Sequence, residues 1–205
     1  MSLEKLQLEH IPLEYQVYLG LFRNVANADF LHKQLLSRNS EFEYAFIDAS
    51  TIISRIHLLS AVYSAINSLL NGSLRTPNVH SEIVMSLNTN NNISDAYRRW
   101  GITPGKTRDL VVVKVILPPN STANQNLSQT QTPDEQTIYG HLEQHVQGTP
   151  TPVTDEELAQ TTDWAKVRKY YRLNGIQSLD KISDEREKRK QCESLVIVGM
   201  ALRGL

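Results

Sequence analysis

Residues 80–117, HSEIVMSLNTNNNISDAYRRWGITPGKTRDLVVVKVIL, decide the fold that we expect, because two apolar runs flank a short helix with little loop between them. The first run, 82–87, is apolar after its opening glutamate except at one serine, and the second, 110–117, is interrupted by one lysine. Short apolar runs bounded by turn-forming residues are typical of strands covered on both faces. The stretch therefore predicts a strand, a helix and a second strand.

The predicted helix between the two runs has recognisable ends. Asn92 can accept a hydrogen bond from the free N–H groups of the first turn, and Asp95 lies where the helix dipole favours negative charge. Gly101 suits a left-handed residue that ends the helix. The spacing places Arg98 and Arg99 on the solvent side. The apolar face consists of Ile93, Ala96, Tyr97 and Trp100.

Residues 101–107, GITPGKT, look like a phosphate-binding loop. The Walker spacing requires four residues between the glycines, and here there are three. Such a loop also follows a strand and opens a helix, whereas this one leaves a helix and enters a strand. We therefore expect no nucleotide site here.

Two more strands and one helix are expected upstream. Residues 15–23 alternate in polarity, and 44–49 form a short apolar run, as strands do. Asn27 is expected to cap a helix that ends near Arg38. That helix should bury Phe30, Leu31, Leu35 and Leu36 and expose His32, Lys33 and Arg38.

A long helix should follow, starting at Ser50 or Thr51 and running to Asn71, with Gly72 as its left-handed stop. Its apolar surface is wider than one core requires, so the helix either crosses the middle of a sheet or lies half buried under a partner. The stripe consists of Ile52, Ile56, Leu59, Tyr63, Ile66 and Leu70, widened by Ile53, Val62 and Leu69.

The second half of the chain changes character several times. Residues 118–133 are nearly all Asn, Gln, Ser, Thr and Pro and are expected to form a disordered surface insertion. Helical patterns follow at 134–148 and 151–172. The apolar segment 195–202 must dock on the protein's own core or on another protein.

Two basic clusters accompany these helices. The first, in 151–172, could contact phosphates, although a solvated helix face is the commoner arrangement; it comprises Lys166, Arg168, Lys169 and Arg172. The second, 186–190, is either a nuclear signal or an ordinary charged helix, because acidic residues precede it.

The composition is that of one globular domain. The chain has 205 residues, 40% of them hydrophobic, and a net charge of −1. This balance argues against a dedicated nucleic-acid binder, although a local basic patch is compatible with it. Cys192 stands alone, which excludes an intrachain disulfide, and no signal peptide or membrane span is visible. We expect an intracellular protein.

The residues show no catalytic set. His141 and His145 share a helix face but lack a third ligand, so we expect them to be surface residues rather than a metal site. No nucleophile motif or dinucleotide fingerprint appears, and no cofactor is expected. From its residues the chain is a non-catalytic α/β domain.

Three segments carry a family resemblance: LFRNVANADFLHKQLL, HSEIVMSLNTNNNISDAYRRWGI and DLVVVKV. In this order and at these separations they closely resemble the PRPK-binding protein (TPRKB-like) family, the small subunit of the KEOPS/EKC complex. The resemblance covers 15–117 and returns weakly at TDWAKVRKYYRL and in the apolar C-terminal segment. The chain departs from shorter members at 118–133 and in its longer tail, where no function is assigned.

The resemblance implies a single α/β domain of the α+β type over residues 1–205, with an antiparallel or mixed sheet flanked by helices. It implies a non-catalytic subunit that binds the small lobe of the complex's kinase-like ATPase, which in turn holds the threonylcarbamoyl transferase. Together they make threonylcarbamoyladenosine next to the anticodon of tRNAs that read codons beginning with A. The subunit also helps to dock the 3′ CCA end of tRNA, and fungal members are linked to telomere maintenance and transcription, in nucleus and cytoplasm.

Two sets of residues are candidates for these contacts. The kinase-binding set is the most apolar free segment, with Leu195, Val198 and Leu202 as anchors. The RNA-binding set lies beside the motifs that carry the resemblance and comprises Arg75, Arg98 and Arg99, with Lys33 and Arg55 behind them.

Two other classes of function compete with this one. A stand-alone domain that self-associates through its long helix would also need surplus apolar surface. An enzyme acting on a small metabolite is less favoured, because it needs a convergent polar pocket that the sequence does not show.

Overall fold

The computed structural model describes residues 3–118 and 133–203, so most of the predicted insertion at 118–133 lies outside the described residues. Within the described part, no helix has the length and apolarity needed to span a membrane. The strands are β1 Glu4–Leu6, β2 Gln16–Arg23, β3 Ala45–Asp48, β4 Leu110–Ile116 and β5 Thr149–Thr151. The α-helices are α1 Ala28–Leu36, α2 Arg55–Leu70, α3 Val79–Ser86, α4 Ile93–Trp100, α5 Glu135–His145, α6 Asp155–Thr161, α7 Trp164–Tyr170, α8 Gln177–Asp180 and α9 Glu185–Ala201.

The strands form one antiparallel sheet in the order β1-β2-β4-β3. β2 pairs with β4 along one edge. Along its other edge, β2 pairs with β1 at Val17–Leu19 and with β5 at Leu21–Arg23. The strands predicted at 15–23, 44–49 and 110–117 are thus confirmed as β2, β3 and β4. The predicted class, an α+β domain with helices flanking the sheet, is also confirmed, and the sheet is antiparallel.

Two hydrophobic layers lie on opposite faces of the sheet. α1 and α5 cover one face, and the other α-helices, α2 to α4 and α6 to α9, cover the other. The side chains of β4 alternate between the layers, which explains why this strand is apolar on both faces. Val111, Val113 and Val115 point to the larger layer, and Leu110, Val112 and Ile116 to the smaller one.

The prediction of a strand at 82–87 is wrong. Residues 82–86 belong to the helix α3, and Leu87 ends it. Asn78 starts the helix by accepting a hydrogen bond from the backbone N–H of Ser81 at 2.8 Å. Nearly every side chain of α3 is buried, including that of Glu82. A helix buried on all sides loses its polar stripe, so its sequence has no 3.6-residue periodicity to distinguish it from a buried strand.

The predicted start of α4 is confirmed, and its predicted end is wrong. The side chain of Asn92 accepts a hydrogen bond from the backbone N–H of Asp95 at 3.0 Å. Gly101, however, has φ −71° and ψ 164°, which is extended rather than left-handed. It forms an isolated β-bridge with Ile47 of β3. A Cβ on Gly101 would lie 2.6 Å from the carbonyl oxygen of Tyr97, so the close approach explains the glycine.

The boundaries of α1 and α2 differ from the prediction. α2 starts after Ser54, whose hydroxyl accepts the backbone N–H of His57, and residues 49–51 form a separate 3-10 turn. Gly72 is left-handed, with φ 61°, as predicted. Asn27 precedes α1 without capping it, because its side chain instead forms hydrogen bonds with the backbone of His145, at the end of α5, and of Gln147.

The predicted buried face of α1 needs correction, and the helical pattern at 151–172 proves to be two helices. In α1, Leu31 is buried, but Phe30 and Leu36 are exposed. Residues 151–172 form the two helices α6 and α7, because the backbone of Thr162 is extended and Asp163 caps a new helix. The predicted helix at 134–148 is confirmed as α5, with Asp134 as its cap.

A buried polar relay joins three helices of the larger layer. His57 of α2 accepts the backbone N–H of Ile53 at Nδ1, at 3.3 Å, so its Nε2 donates to the hydroxyl of Tyr171, at 2.8 Å. That hydroxyl in turn donates to the carbonyl oxygen of Leu87 at 2.6 Å. Burial lowers the pKa of His57 to about 3, so the relay requires a neutral imidazole.

We predict that acidification destabilises the protein through buried neutral histidines. The pKa of His57 falls from 6.5 to about 3, and burial also places that of His80 well below 6.5. Below pH 6.5 the unfolded chain binds protons that the folded protein does not, so the free energy of unfolding falls as the pH falls. Urea unfolding at pH 7.5 and 5.5 should differ by roughly 1.4 kcal/mol because of His57, and His80 should add to the difference in the same direction.

The control for this prediction is His57→Gln, which removes one titrating group from the core. The variant should be less stable at both pH values, and its loss between pH 7.5 and 5.5 should be smaller by roughly 1.4 kcal/mol. An unchanged pH dependence would contradict the assignment of His57.

We also predict that Gly101→Ala destabilises the protein by about 1–3 kcal/mol, because the added methyl overlaps the backbone of Tyr97. Gly140 is the matched control, since it lies within α5 with open space at its Cβ position. Gly140→Ala should stabilise by about 0.5–1 kcal/mol. Thermal unfolding of the two variants measures the difference, and equal effects would refute the close-approach explanation.

Candidate functional site

α9 docks on the core with one face and leaves an apolar stripe in solvent. Cys192, Val196 and Met200 form its buried side. Its outer stripe consists of Leu195, Val198 and Leu202, which are 39%, 51% and 55% exposed. The spacings of three and four place these three on one helix face. The three residues predicted from the sequence as anchors for a partner are therefore together and accessible.

The helix α2 packs against α9 and carries a second exposed apolar stripe. Ile56, Tyr63 and Leu70 are exposed and recur at intervals of seven, so they share one face. The side of α2 that meets the core is instead Leu58, Ala61, Val62, Ala65 and Ile66, together with His57. The stripe predicted from the sequence is thus half exposed, and we define the two outer stripes of α2 and α9 as the apolar surface.

A cleft of about 420 Å³ lies where α4, α7 and the loop after α4 meet. Basic side chains line it from four segments of the chain, and two tyrosines form part of its wall. The cations are Arg98, Arg99, Lys106 and Lys166, with His32 beside them, and the tyrosines are Tyr97 and Tyr170. Guanidinium and ammonium groups beside aromatic rings suit phosphates and stacked bases. We call this the basic cleft.

The carboxylate in the basic cleft is held by hydrogen bonds. The carboxylate of Asp48 accepts hydrogen bonds from the backbone N–H of Ser50 at 3.0 Å and from the Ser50 hydroxyl at 2.7 Å. The hydroxyl of Thr107 donates a third, at 3.3 Å. Lys166 reaches the same group, with its Nζ 2.9 Å from Ser50 Oγ and 3.9 Å from Asp48 Oδ2. The ammonium of Lys166 is thereby fixed in place.

The two arginines of α4 differ in availability, although both pair with Asp95. The side chain of Arg98 is 75% exposed and that of Arg99 only 23%. Arg99 also lies over the rings of Trp100 and Tyr170 and donates to the carbonyl oxygen of Tyr170 at 3.3 Å. Arg98 is therefore available for a ligand, whereas Arg99 mainly holds the wall of the cleft.

Asp95 is the anchor for both arginines. Burial opposes its ionisation, but hydrogen bonds from Arg98, Asn90 and Asn88 together hold its pKa below the usual value. The ionised carboxylate at the start of α4 thus fixes the geometry of that side of the cleft.

The other three predicted RNA contacts lie outside the lining of the basic cleft. Arg55 binds both carboxylate oxygens of Glu4, at 2.6 and 2.7 Å, and this pairing raises its pKa. The charge of Arg55 is therefore largely neutralised by Glu4 within the fold. Arg75 and Lys33 are exposed, but the structure does not bring them to Arg98.

Sequence reasoning missed three residues of the basic cleft. Lys106 lies in the loop that looks like a phosphate-binding loop but lacks its spacing, and Lys166 belongs to a basic cluster that fits a solvated helix face. His32 falls on the predicted solvent side of α1. Basic residues from four separate segments give no local pattern, so only the fold brings them together.

The histidines of α5 are not the surface pair that was predicted. His141 and His145 are half buried, and their rings pack on Phe42 with centroids 4.8 and 5.1 Å away. His141 Nδ1 lies 3.0 Å from the hydroxyl of Tyr44. Among the described residues, no group of three or more His, Cys, Asp or Glu is arranged to hold a metal ion.

Comparisons with known proteins agree with the resemblance seen in the sequence. The family model described as Kinase binding protein CGI-121 matches residues 22–204. The EKC/KEOPS complex subunit cgi121 of Neurospora crassa is 56% identical over 207 residues, covering 100% of both chains. Its namesake from Gibberella zeae is 56% identical over 205 residues, again covering 100% of both. The Schizosaccharomyces pombe subunit is 31% identical over 166 residues, 80% of this chain and 87% of the relative. The chain therefore belongs to the CGI-121 family of kinase binding proteins.

Proposed function

We propose that this chain is a non-catalytic subunit of an EKC/KEOPS complex. It binds the kinase-like ATPase of that complex through the apolar surface and docks tRNA at the basic cleft. The observation that carries the proposal is the outer stripe of α9, because three large apolar residues stay exposed on a helix whose other face is fully packed. Membership in a family of kinase binding proteins makes the kinase the preferred partner.

The geometry of the apolar surface favours a protein partner. Leu195, Val198 and Leu202 lie on an ordered helix, so little side-chain and backbone freedom is lost when a partner covers them. Apolar anchors near the centre of an interface provide most of its binding energy. The threonylcarbamoyl transferase is then an indirect partner, reached through the kinase.

The basic cleft supports the proposal of tRNA docking. Arg98 and Lys106 are exposed, and Lys166 is held in place by Ser50. Phosphate contacts give affinity without reading sequence, and aromatic side chains in a cleft can stack on unpaired bases. A single-stranded end of a tRNA offers both groups, which suits the 3′ CCA end that the family resemblance suggests.

The non-catalytic role in this proposal comes from membership in a family of kinase binding proteins. The carboxylate of the cleft, Asp48, accepts hydrogen bonds from Ser50 and Thr107, and these fix its position. Nucleus and cytoplasm as locations, and roles at telomeres and in transcription, stay predictions from the resemblance.

We predict that Val198→Glu weakens kinase binding by about 2 kcal/mol or more, because it buries a charge at the centre of an apolar contact. This corresponds to roughly a 30-fold rise in Kd. The measurement is titration of the purified chain with the kinase-like ATPase of its complex.

Leu36→Glu is the matched control, because Leu36 is exposed on α1, on the opposite face of the sheet. The affinity of Leu36→Glu for the kinase should equal that of the wild type. Wild-type affinity in Val198→Glu would refute the proposed surface.

A molecular-mass measurement tests the competing hypothesis of self-association. The adaptor is a monomer until the kinase is added, whereas a dimer in the absence of the kinase favours the self-associating domain.

We predict that replacing both Arg98 and Lys106 by Ala flattens the salt dependence of tRNA binding. Each lost phosphate contact lowers the slope of log K against log salt by about 0.7 on single strands and about 0.9 on duplex. The double variant should therefore lose roughly 1.4–1.8 from the slope. Binding measured over a series of salt concentrations gives this value.

Lys33→Ala and Arg75→Ala are controls, because both remove an exposed cation outside the lining of the basic cleft. They should leave the slope unchanged. If they flatten it and the cleft variant does not, the tRNA is bound elsewhere on the protein.

A further inference from the structure

A fully buried carboxylate lies beneath the segment that joins α2 to α3. Glu82 is 1% exposed, and its Oε2 accepts three hydrogen bonds from that segment. The donors are the backbone N–H groups of Arg75, at 3.0 Å, and Thr76, at 3.1 Å, and the hydroxyl of Thr76, at 2.9 Å. One carboxylate oxygen is therefore fully satisfied by the connection that follows Leu70.

The other oxygen of Glu82 faces Arg203, which lies two residues after the end of α9. Arg203 Nη2 lies 3.5 Å from Glu82 Oε1, and the arginine side chain is only 9% exposed. Its Nη1 is buried and has no hydrogen-bond partner among the described residues. Burial lowers the pKa of Arg203, and the charge of Glu82 opposes that shift. A guanidinium loses hydration when it is buried in this way, so the pair contributes little net stability.

The position of the pair indicates a geometric role. Buried ion pairs that contribute little stability can still select one arrangement of the packed elements. Here Arg203 is two residues beyond the end of α9, and its partner is bonded to the segment that follows the end of α2. The pair thus connects the ends of the two helices that carry the apolar surface.

We propose that the Glu82–Arg203 pair is a latch that holds the last turn of α9 and thereby positions Val198 and Leu202 for the kinase. The inference rests on the proposed function. The last carbonyls of a helix lack intrahelical partners, and the last turn tends to open first. In that turn Met200 is the only residue buried in the core. Arg203 adds a second attachment, so the stripe is ordered before the partner arrives, which lowers the entropic cost of binding.

Arg203→Met tests the latch, because it removes the charge and keeps an apolar side chain of similar length. Three donors still satisfy Glu82 Oε2, and combining the change with Glu82→Gln also removes the charge that Arg203→Met alone would leave buried beside Oε1. We expect kinase affinity to fall about tenfold and amide hydrogen exchange at residues 198–203 to accelerate, with exchange in β4 unchanged. Arg203→Lys, which keeps the positive charge, should recover part of the affinity.

Lys190→Met is the matched control, because it removes a cation from an exposed position of the same helix. Both its affinity and its exchange should match the wild type. If the pair acts as a unit, Glu82→Gln combined with Arg203→Met should bind no more weakly than Arg203→Met alone.

Three results would overturn the latch: unchanged exchange at residues 198–203 in Arg203→Met, unchanged kinase affinity in that variant, or loss of affinity together with faster exchange in β4. The last result would mean general destabilisation. Failure of the proposed function is distinguishable, because the wild type itself would then show no kinase binding, whereas the exchange data would still report on the attachment of α9.

Discussion

Burial of β4 on both faces is the constraint on which the rest of the structure depends. The strand pairs with β2 and β3 at its edges, so its backbone is satisfied within the sheet, and its side chains must be covered by a helical layer on each side. An antiparallel sheet commonly leaves one face to water, but this one cannot. The helices of both layers are therefore required, and their outer faces become the surface available for function.

The two helical layers are held together by different kinds of contact. α1 and α5 close the smaller layer with an aromatic cluster around Phe42. The larger layer is joined by buried polar contacts, such as the relay from His57 through Tyr171, which fix how its helices sit against one another. Both surfaces that we assign to partners lie mainly on this larger layer. Fixed helices suit an adaptor, because its contribution is the placement of other molecules rather than chemistry.

Sequence patterns predicted elements correctly where the local signal is complete. β4 is apolar at nearly every position, and Asn92 and Asp95 give α4 a start that needs no tertiary information. The same reasoning failed at 82–87, because a helix buried on all sides has no polar stripe. It failed at Gly101 as well, since a glycine required by close approach to Tyr97 cannot be distinguished from one required by a left-handed turn.

The candidate sites show the same division. Leu195, Val198 and Leu202 were predicted as anchors from the apolar character of the C-terminal segment, and the structure shows that they share one exposed face of α9. Arg98 and Arg99 look equivalent in the sequence, yet the fold leaves Arg98 in solvent and packs Arg99 over the rings of Trp100 and Tyr170.

The sequence by itself determined the central strand, the short capped helix, the absence of a recognisable catalytic motif and the resemblance to the family. Only the tertiary structure decided which cations share the basic cleft and that Glu82 meets Arg203, residues separated by 121 positions. Periodicity and capping act over one or two helical turns, whereas contacts between distant segments depend on how the layers pack.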